Sequence, residues 1–390
     1  MSFFSGLDFF ILLALILIPA IVLGISEVNL RYYRIIASIA ILFLIFRDDL
    51  RSVVFLIIFV TLEFLLIRVY LRIREAAREA VVYRLFLFFS ILPLIFSKLS
   101  EITELSLFQF LGISYLTFRV VQVIIEIYDG IIKEFHLMDY LDFILMFATF
   151  SSGPIDRSRR FLKDVYSPLT RQQYLDLLGL GLQKIVLGIF YKVVLSAFMY
   201  QYVQALFGHY SPWEIFKYSY AYGLYMFFDF AGYSLMAIGT SYILGIKTPD
   251  NFNKPFMSIN MKDFWNRWHM SLSFWFRDFI FSRIVMGFMR KKIFASRLTG
   301  ASLAFIINMT IMGLWHGLMP QYILYGLYHG ILLAVTEIYE KKSGLHKKYK
   351  NVFWYKVVSW ALTINMVMFG FLIFSGEFTD ILRIIIQMYV

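Results

Sequence analysis

Long apolar stretches separated by short basic ones set the pattern of this chain. Residues 9–25 (FFILLALILIPAIVLGI) carry no charge, residues 301–318 hold only a few polar side chains and His316, and residues 53–71 are as apolar apart from Glu63 and Arg68. Apolar runs of about 17–25 residues match the hydrocarbon core of a bilayer. The pattern predicts an all-α, polytopic membrane protein with roughly ten or eleven transmembrane helices. No internal repeat interrupts it, so residues 1–390 are read as a single membrane domain. The first run lacks the positively charged start of a signal peptide and further spans follow it, so it is read as a transmembrane helix.

Charge orients the spans. Four basic clusters stand out: Arg68, Arg72, Arg74, Arg78 and Arg84; Arg157, Arg159, Arg160 and Lys163; Arg290, Lys291, Lys292 and Arg297; and Lys341, Lys342, Lys347, Lys348 and Lys350. The positive-inside rule puts all four on the cytoplasmic face of the cell membrane and, three spans earlier, the N-terminus outside. Two segments then resist a simple crossing. Residues 140–150 lie between a span that ends inside and a cluster that is itself inside, and residues 264–289 have basic residues on both flanks. Each must enter and leave on one side or lie at the interface, surrounded by protein or by a water-filled cavity.

Composition sharpens this picture only in places. The chain is 60% hydrophobic, against about half for a soluble protein, and its 37 basic and 26 acidic residues leave a net charge of +11. In a membrane protein such an excess marks cytoplasmic loops and contact with anionic membrane lipid. The bases sit in short clusters between spans, which argues against nucleic acid as a partner. There is no cysteine, so disulfides and thiolate chemistry are excluded.

Residues 262–279, KDFWNRWHMSLSFWFRDF, combine three tryptophans and four phenylalanines with Lys262, Asp263, Arg267, His269, Arg277 and Asp278. They are too apolar for a water-facing loop and too charged for a lipid-facing helix, so the charged faces should look inward or toward the cytoplasmic rim. His316 lies near the end of an apolar helix between Gly313 and Gly317, where an imidazole needs a partner or a wet cavity. From these residues alone, His316 and His269 are each either satisfied core histidines or functional groups. His329, in YGLYHG, is explained almost as well by helix packing through Gly326 and Gly330, and His136, His209 and His346 fall in polar connections. Asp229, in MFFDFAGYS, is expected to be buried, either hydrogen-bonded to hydroxyls or backbone at a kink near Gly232 or lining a cavity. Glu63 is expected to pair with Arg68 or another inward base. No phosphate-binding loop, zinc-ligand spacing or nucleophile elbow is present.

Three stretches together, YMFFDFAGYSLMAIG (225–239), NFNKPFMSINMKDFWNRWHMSLSFWFRD (251–278) and GLWHG (313–317), resemble the membrane-bound O-acyltransferase family. Within it, FLGISYLTFRVVQ (110–122) and SSGPIDRSRRF (151–161) are similar to the branch that D-alanylates teichoic acids. The resemblance implies a ring of helices around a central tunnel, with no permanently bound cofactor. It implies that D-alanine arrives as a thioester on the phosphopantetheine arm of an acidic D-alanyl carrier protein in the cytoplasm. The acyl group then passes outward to lipoteichoic acid with the help of a membrane-anchored extracellular partner. On this reading His316 is the general base, His269 orients or polarises the thioester carbonyl, and Asp229, Trp265, Asn266 and Trp315 line the tunnel. The carrier is expected to dock on residues 279–292, where Ile284, Val285 and Met286 offer an apolar contact with Arg283, Arg290, Lys291 and Lys292 around it; an amphipathic helix held by lipid alone is the rival explanation. Rival functions are O-acetylation of a polysaccharide within the same family, and a transporter or scaffold that performs no chemistry.

Overall fold

The computed structural model describes residues 3–76, 79–103 and 108–389; Arg78 of the first basic cluster lies outside the described residues. Every regular element among them is helical. In chain order these are α1 (Leu7–Ile25), α2 (Arg31–Phe46), α3 (Leu50–Ala76), α4 (Ala80–Ser100), α5 (Ile113–Tyr128), α6 (Leu137–Leu145), α7 (Ser158–Val165), α8 (Arg171–Ile189) and α9 (Ala197–Leu206). They continue with α10 (Pro212–Ile243), α11 (Met261–Trp265), α12 (Met270–Phe276), α13 (Ser282–Arg290), α14 (Arg297–His316), α15 (Pro320–Lys342), α16 (Gly344–Tyr349), α17 (Phe353–Ser375) and α18 (Glu377–Tyr389). Among the described residues, six helical stretches are long and apolar enough to cross a membrane: α1, α3, α4, the run Arg171–Leu206, α14 and α17. The chain is a multi-pass membrane protein, and it forms two compact units, Met1–Ile189 with Gly232–Asp250 and Phe190–Ala231 with Asn251–Val390.

In the first unit α5 is buried on nearly every side. It carries a guanidinium, which a membrane protein tolerates when its donors find acceptors inside the protein; here both terminal nitrogens do, while Nε has no partner among the described residues. Arg119 donates to the carbonyls of Phe143 and Ile144 and to both the carbonyl and the hydroxyl of Thr149. These acceptors sit at the end of α6 and in the 3-10 turn Phe147–Thr149 that follows. One arginine thus satisfies the backbone that α6 leaves open. With nine residues, α6 is about 14 Å long, too short to span. Arg34 and Asp142 form a buried ion pair, and Arg31 pairs with Asp139. Glu63 corrects the sequence expectation: its carboxyl group accepts a hydrogen bond from the Ser90 hydroxyl at 2.6 Å rather than pairing with Arg68.

In the second unit α14 and α15 pack backbone to backbone. A Cβ at Gly313 would overlap the Tyr322 carbonyl, and one at Gly326 would overlap that of Met309. Close approach through small residues is how helices associate where lipid removes the hydrophobic drive. Residues 251–290 are broken and then continuous: α11 has five residues, a tight turn follows, and α12, the π turn Arg277–Phe281 and α13 run on as one helical stretch from residue 270 to 290.

Candidate active site

His316 is the last residue of α14. Gly317 adopts an extended conformation and Pro320 opens α15, so the chain turns back directly after the imidazole. The ring lies 4.6 Å from that of Trp315 and meets Phe374 of α17 edge-on at 5.1 Å.

His269 is positioned by its own backbone. It precedes α12 in a left-handed conformation, φ 42° and ψ 53°, a region that disfavours side chains other than those of Gly, Asn and Asp. The turn is clamped from residues 251–253. The Asn251 carbonyl accepts the Met270 amide at 2.9 Å, the Asn251 side chain accepts the Ser271 hydroxyl at 2.6 Å, and the Arg267 carbonyl accepts the Asn253 amide at 2.9 Å. Trp268 is held in an aromatic cluster that includes Phe252, Phe264 and Phe371. His269 itself is buried, edge-on to Phe230 at 4.6 Å, and its Nε2 has no hydrogen-bond partner among the described residues.

Both imidazoles line one cavity of about 260 Å³, together with Asp229, Trp265, Trp268 and Tyr325. Such a space accepts a small acyl group and the reacting atoms around it. Asp229 lines the cavity, as one of the two sequence readings had it, but its partner differs from the hydroxyl or backbone group expected. It forms an ion pair with Lys192, and its side chain is 39% exposed rather than buried as the sequence led one to expect, because it opens onto the cavity. Lys192 lies in a π-helical turn, Phe190–Ser196, within the run of α8 and α9. Sequence reasoning passed over this lysine, although an isolated charge inside an apolar run was the available signal.

A second cavity of about 260 Å³ is lined by Lys262, Asn266, Ser273, Arg277 and Asn308 among apolar side chains, and Trp265 lines this one too. The Lys262 ammonium is held by Glu337 and Glu340. Burial opposes its charge, but the two carboxylates outweigh that and raise its pKa. Asn308 is buried and was also missed by the sequence reading. Trp315, expected to line the tunnel, instead packs on the His316 ring and is not among the residues lining either cavity. His329 is fully buried, 5.3 Å from the Trp265 ring.

The apolar trio expected at the carrier-docking stretch is rearranged. Met286 is 51% exposed, but Ile284 and Val285 are half-buried, and the other exposed apolar side chains are Met289 and Ile293. Arg290, Lys291 and Lys292 are exposed beside them, whereas Arg283 is half-buried.

The family described as MBOAT, membrane-bound O-acyltransferase, matches residues 48–378. A teichoic acid D-alanyltransferase of Bacillus subtilis (strain 168) is 44% identical over 97% of this chain and 98% of its own length. One from Streptococcus thermophilus is 41% identical over 96% of this chain and 94% of its own length. A probable alginate O-acetylase of Pseudomonas syringae pv. tomato is 32% identical over 68% of this chain and 49% of its own length.

Proposed function

This chain belongs to the membrane-bound O-acyltransferase family, and from that premise we propose that it transfers D-alanine for the D-alanylation of teichoic acid. The donor is a thioester on the phosphopantetheine arm of an acidic carrier protein at the cytoplasmic face. The eventual acceptor is a hydroxyl of lipoteichoic acid outside, reached with a membrane-anchored extracellular partner. The N-terminus lies outside, a reading supported by the positive-inside rule applied to the four basic clusters. The exposed set Met286, Met289 and Ile293, rimmed by Arg290, Lys291 and Lys292, is the carrier's docking surface: apolar anchors supply affinity and the basic rim speeds encounter with an acidic partner. D-alanyl transfer is favoured over O-acetylation by extent. The similarity to the D-alanyltransferases runs nearly end to end in both chains, whereas the alginate O-acetylase is matched over half its length.

The observation that carries the reading is the pair of imidazoles, from sequence-distant segments, facing one cavity. A thioester is already activated, but a neutral hydroxyl attacks it slowly. His316 accepts the hydroxyl proton as oxygen bonds to the acyl carbon, a role worth roughly a hundred- to ten-thousand-fold in rate. As the carbonyl π bond opens, its oxygen takes up negative charge, and His269 donates to it from Nε2. The carbon–sulfur bond then breaks, the thiolate leaves with its electron pair, and the imidazolium of His316 returns the proton to sulfur. The products are an ester and a free thiol, with no net change in protons.

The test is reconstitution of the purified protein in vesicles with its membrane-anchored partner and a carrier charged with radiolabelled D-alanine. His316→Ala should insert normally and transfer at least a hundredfold more slowly than wild type. Wild-type transfer by that variant would remove His316 from the chemistry, and would leave the transporter and scaffold readings standing.

A further inference from the structure

The two cavities differ in chemistry and meet at one side chain. One holds both imidazoles, and the other holds amides, a hydroxyl and cations but no histidine. Trp265 is the one residue among those described that lines both. We propose that the Trp265 indole is the partition through which the acyl group reaches the imidazoles, that it limits the size of acyl group admitted, and that His329 is the positioning residue that sets it. The proposal rests on the acyl-transfer reading above.

Three observations support it. The indole is buried and its Nε1 finds no hydrogen-bond partner among the described residues, so packing rather than a bond fixes its plane. That packing comes from Phe264, edge-on at 5.6 Å, and from His329, perpendicular at 5.3 Å. His329 is itself wedged: Tyr325, which lines the imidazole cavity, lies 4.5 Å away on one side, and on another the ring presses on α17 where residue 370 is glycine. A Cβ at Gly370 would overlap His329 Nε2, so the missing side chain is what gives the imidazole its place. Neither ring nitrogen of His329 has a partner among the described residues. Its contribution is therefore its volume, which holds the indole across the passage. An indole held by shape alone turns aside for a small group and obstructs a branched one.

The experiment compares transfer of D-alanyl and D-leucyl groups from the carrier protein, each charged by enzymatic attachment of the synthetic acyl-phosphopantetheine. Wild type should prefer D-alanyl by about a hundredfold or more, since a tight pocket rejects even one extra methylene 10–200-fold. Trp265→Leu should cut the preference about tenfold, whatever happens to the absolute rates. His329→Ala should move the ratio in the same direction. In the double variant His329→Ala with Gly370→Leu, the new side chain grows from α17 into the vacated volume and should bring the ratio back toward wild type. If His329→Ala does not accumulate, the smaller truncation His329→Val takes its place and should shift the ratio in the same direction. A purely structural defect would slow both acyl groups alike and leave the ratio unchanged. A wild-type ratio in Trp265→Leu overturns the partition. A shift in Trp265→Leu without one in the His329 truncation, or a shift in that truncation that Gly370→Leu does not reverse, overturns the positioning role. A wild-type protein that transfers neither group instead refutes the acyl-transfer reading itself.

Discussion

His269 performs two tasks that substitution can separate. It occupies a left-handed backbone position, φ 42°, and it presents an imidazole to the cavity. The first task costs stability: an L-residue other than Gly, Asn or Asp pays about 1–2 kcal/mol there. Alanine keeps that cost and loses the ring, glycine loses both, and asparagine tolerates the conformation while keeping a polar group. His269→Gly should therefore be more stable than His269→Ala by about 1 kcal/mol, the strain relieved being partly offset by the freer unfolded chain. His269→Asn should fall between them or equal the glycine variant. Activity should follow another order. Loss of a donor to the developing oxyanion costs about 10²–10³ in rate, so the alanine and glycine variants should be equally impaired, while asparagine, whose amide also donates, retains part of the activity. The packing lost with the ring, mainly the contact with Phe230, is the same for both truncations and cancels. Thermal unfolding in detergent gives the stability order, and D-alanyl transfer per folded molecule gives the other. If His269→Gly recovered transfer that His269→Ala had lost, the backbone and not the imidazole would be the functional element.

Three further outcomes are expected. Gly326→Ala should destabilise the protein by about 1–3 kcal/mol, because its methyl meets the Met309 carbonyl, whereas Gly179→Ala, whose methyl meets nothing within 4 Å, should be neutral or stabilising; unfolding in detergent distinguishes them. Met286→Asp should weaken carrier binding strongly and neutralising Lys291 with Lys292 only mildly, less so at high salt; unchanged affinity of correctly folded Met286→Asp would move the docking surface elsewhere. A cysteine at Ser167, exposed beside the second basic cluster, should resist an impermeant thiol reagent in intact cells and react in inverted vesicles; Ser158, nearer the cluster's centre, is buried and unsuitable. Labelling in intact cells would invert the topology.

The sequence disclosed the parts of this molecule that violate the rules of a lipid-facing helix, and hid those that obey them. His316, His269 and the charged aromatic segment around them were legible because an imidazole or a guanidinium at membrane depth demands an explanation. The same logic applied to Lys192 but was not carried to it, and its ion pair with Asp229 joins residues 37 positions apart, where spacing along a chain does not reveal which distant helix brings the partner. Periodicity fails more deeply. In water, a helix shows its buried side by contrast with a polar one. In lipid both sides are apolar and that contrast is lost, and at the membrane rim Ile284, Val285 and Met286 are equally apolar in type although the structure exposes only the third. Geometry alone warned against grouping them, because three consecutive helical residues fan across about 200° and cannot share a face. The left-handed turn at His269 had no glycine or asparagine to announce it. It is produced by Asn251 and Asn253, 16 to 18 residues earlier in the chain, whose hydrogen bonds clamp its flanks. That dependence explains why the motif carrying the histidine begins so far ahead of it. Residues 251–253 are the support on which the second imidazole stands, and the chemistry of 269 cannot be separated from them.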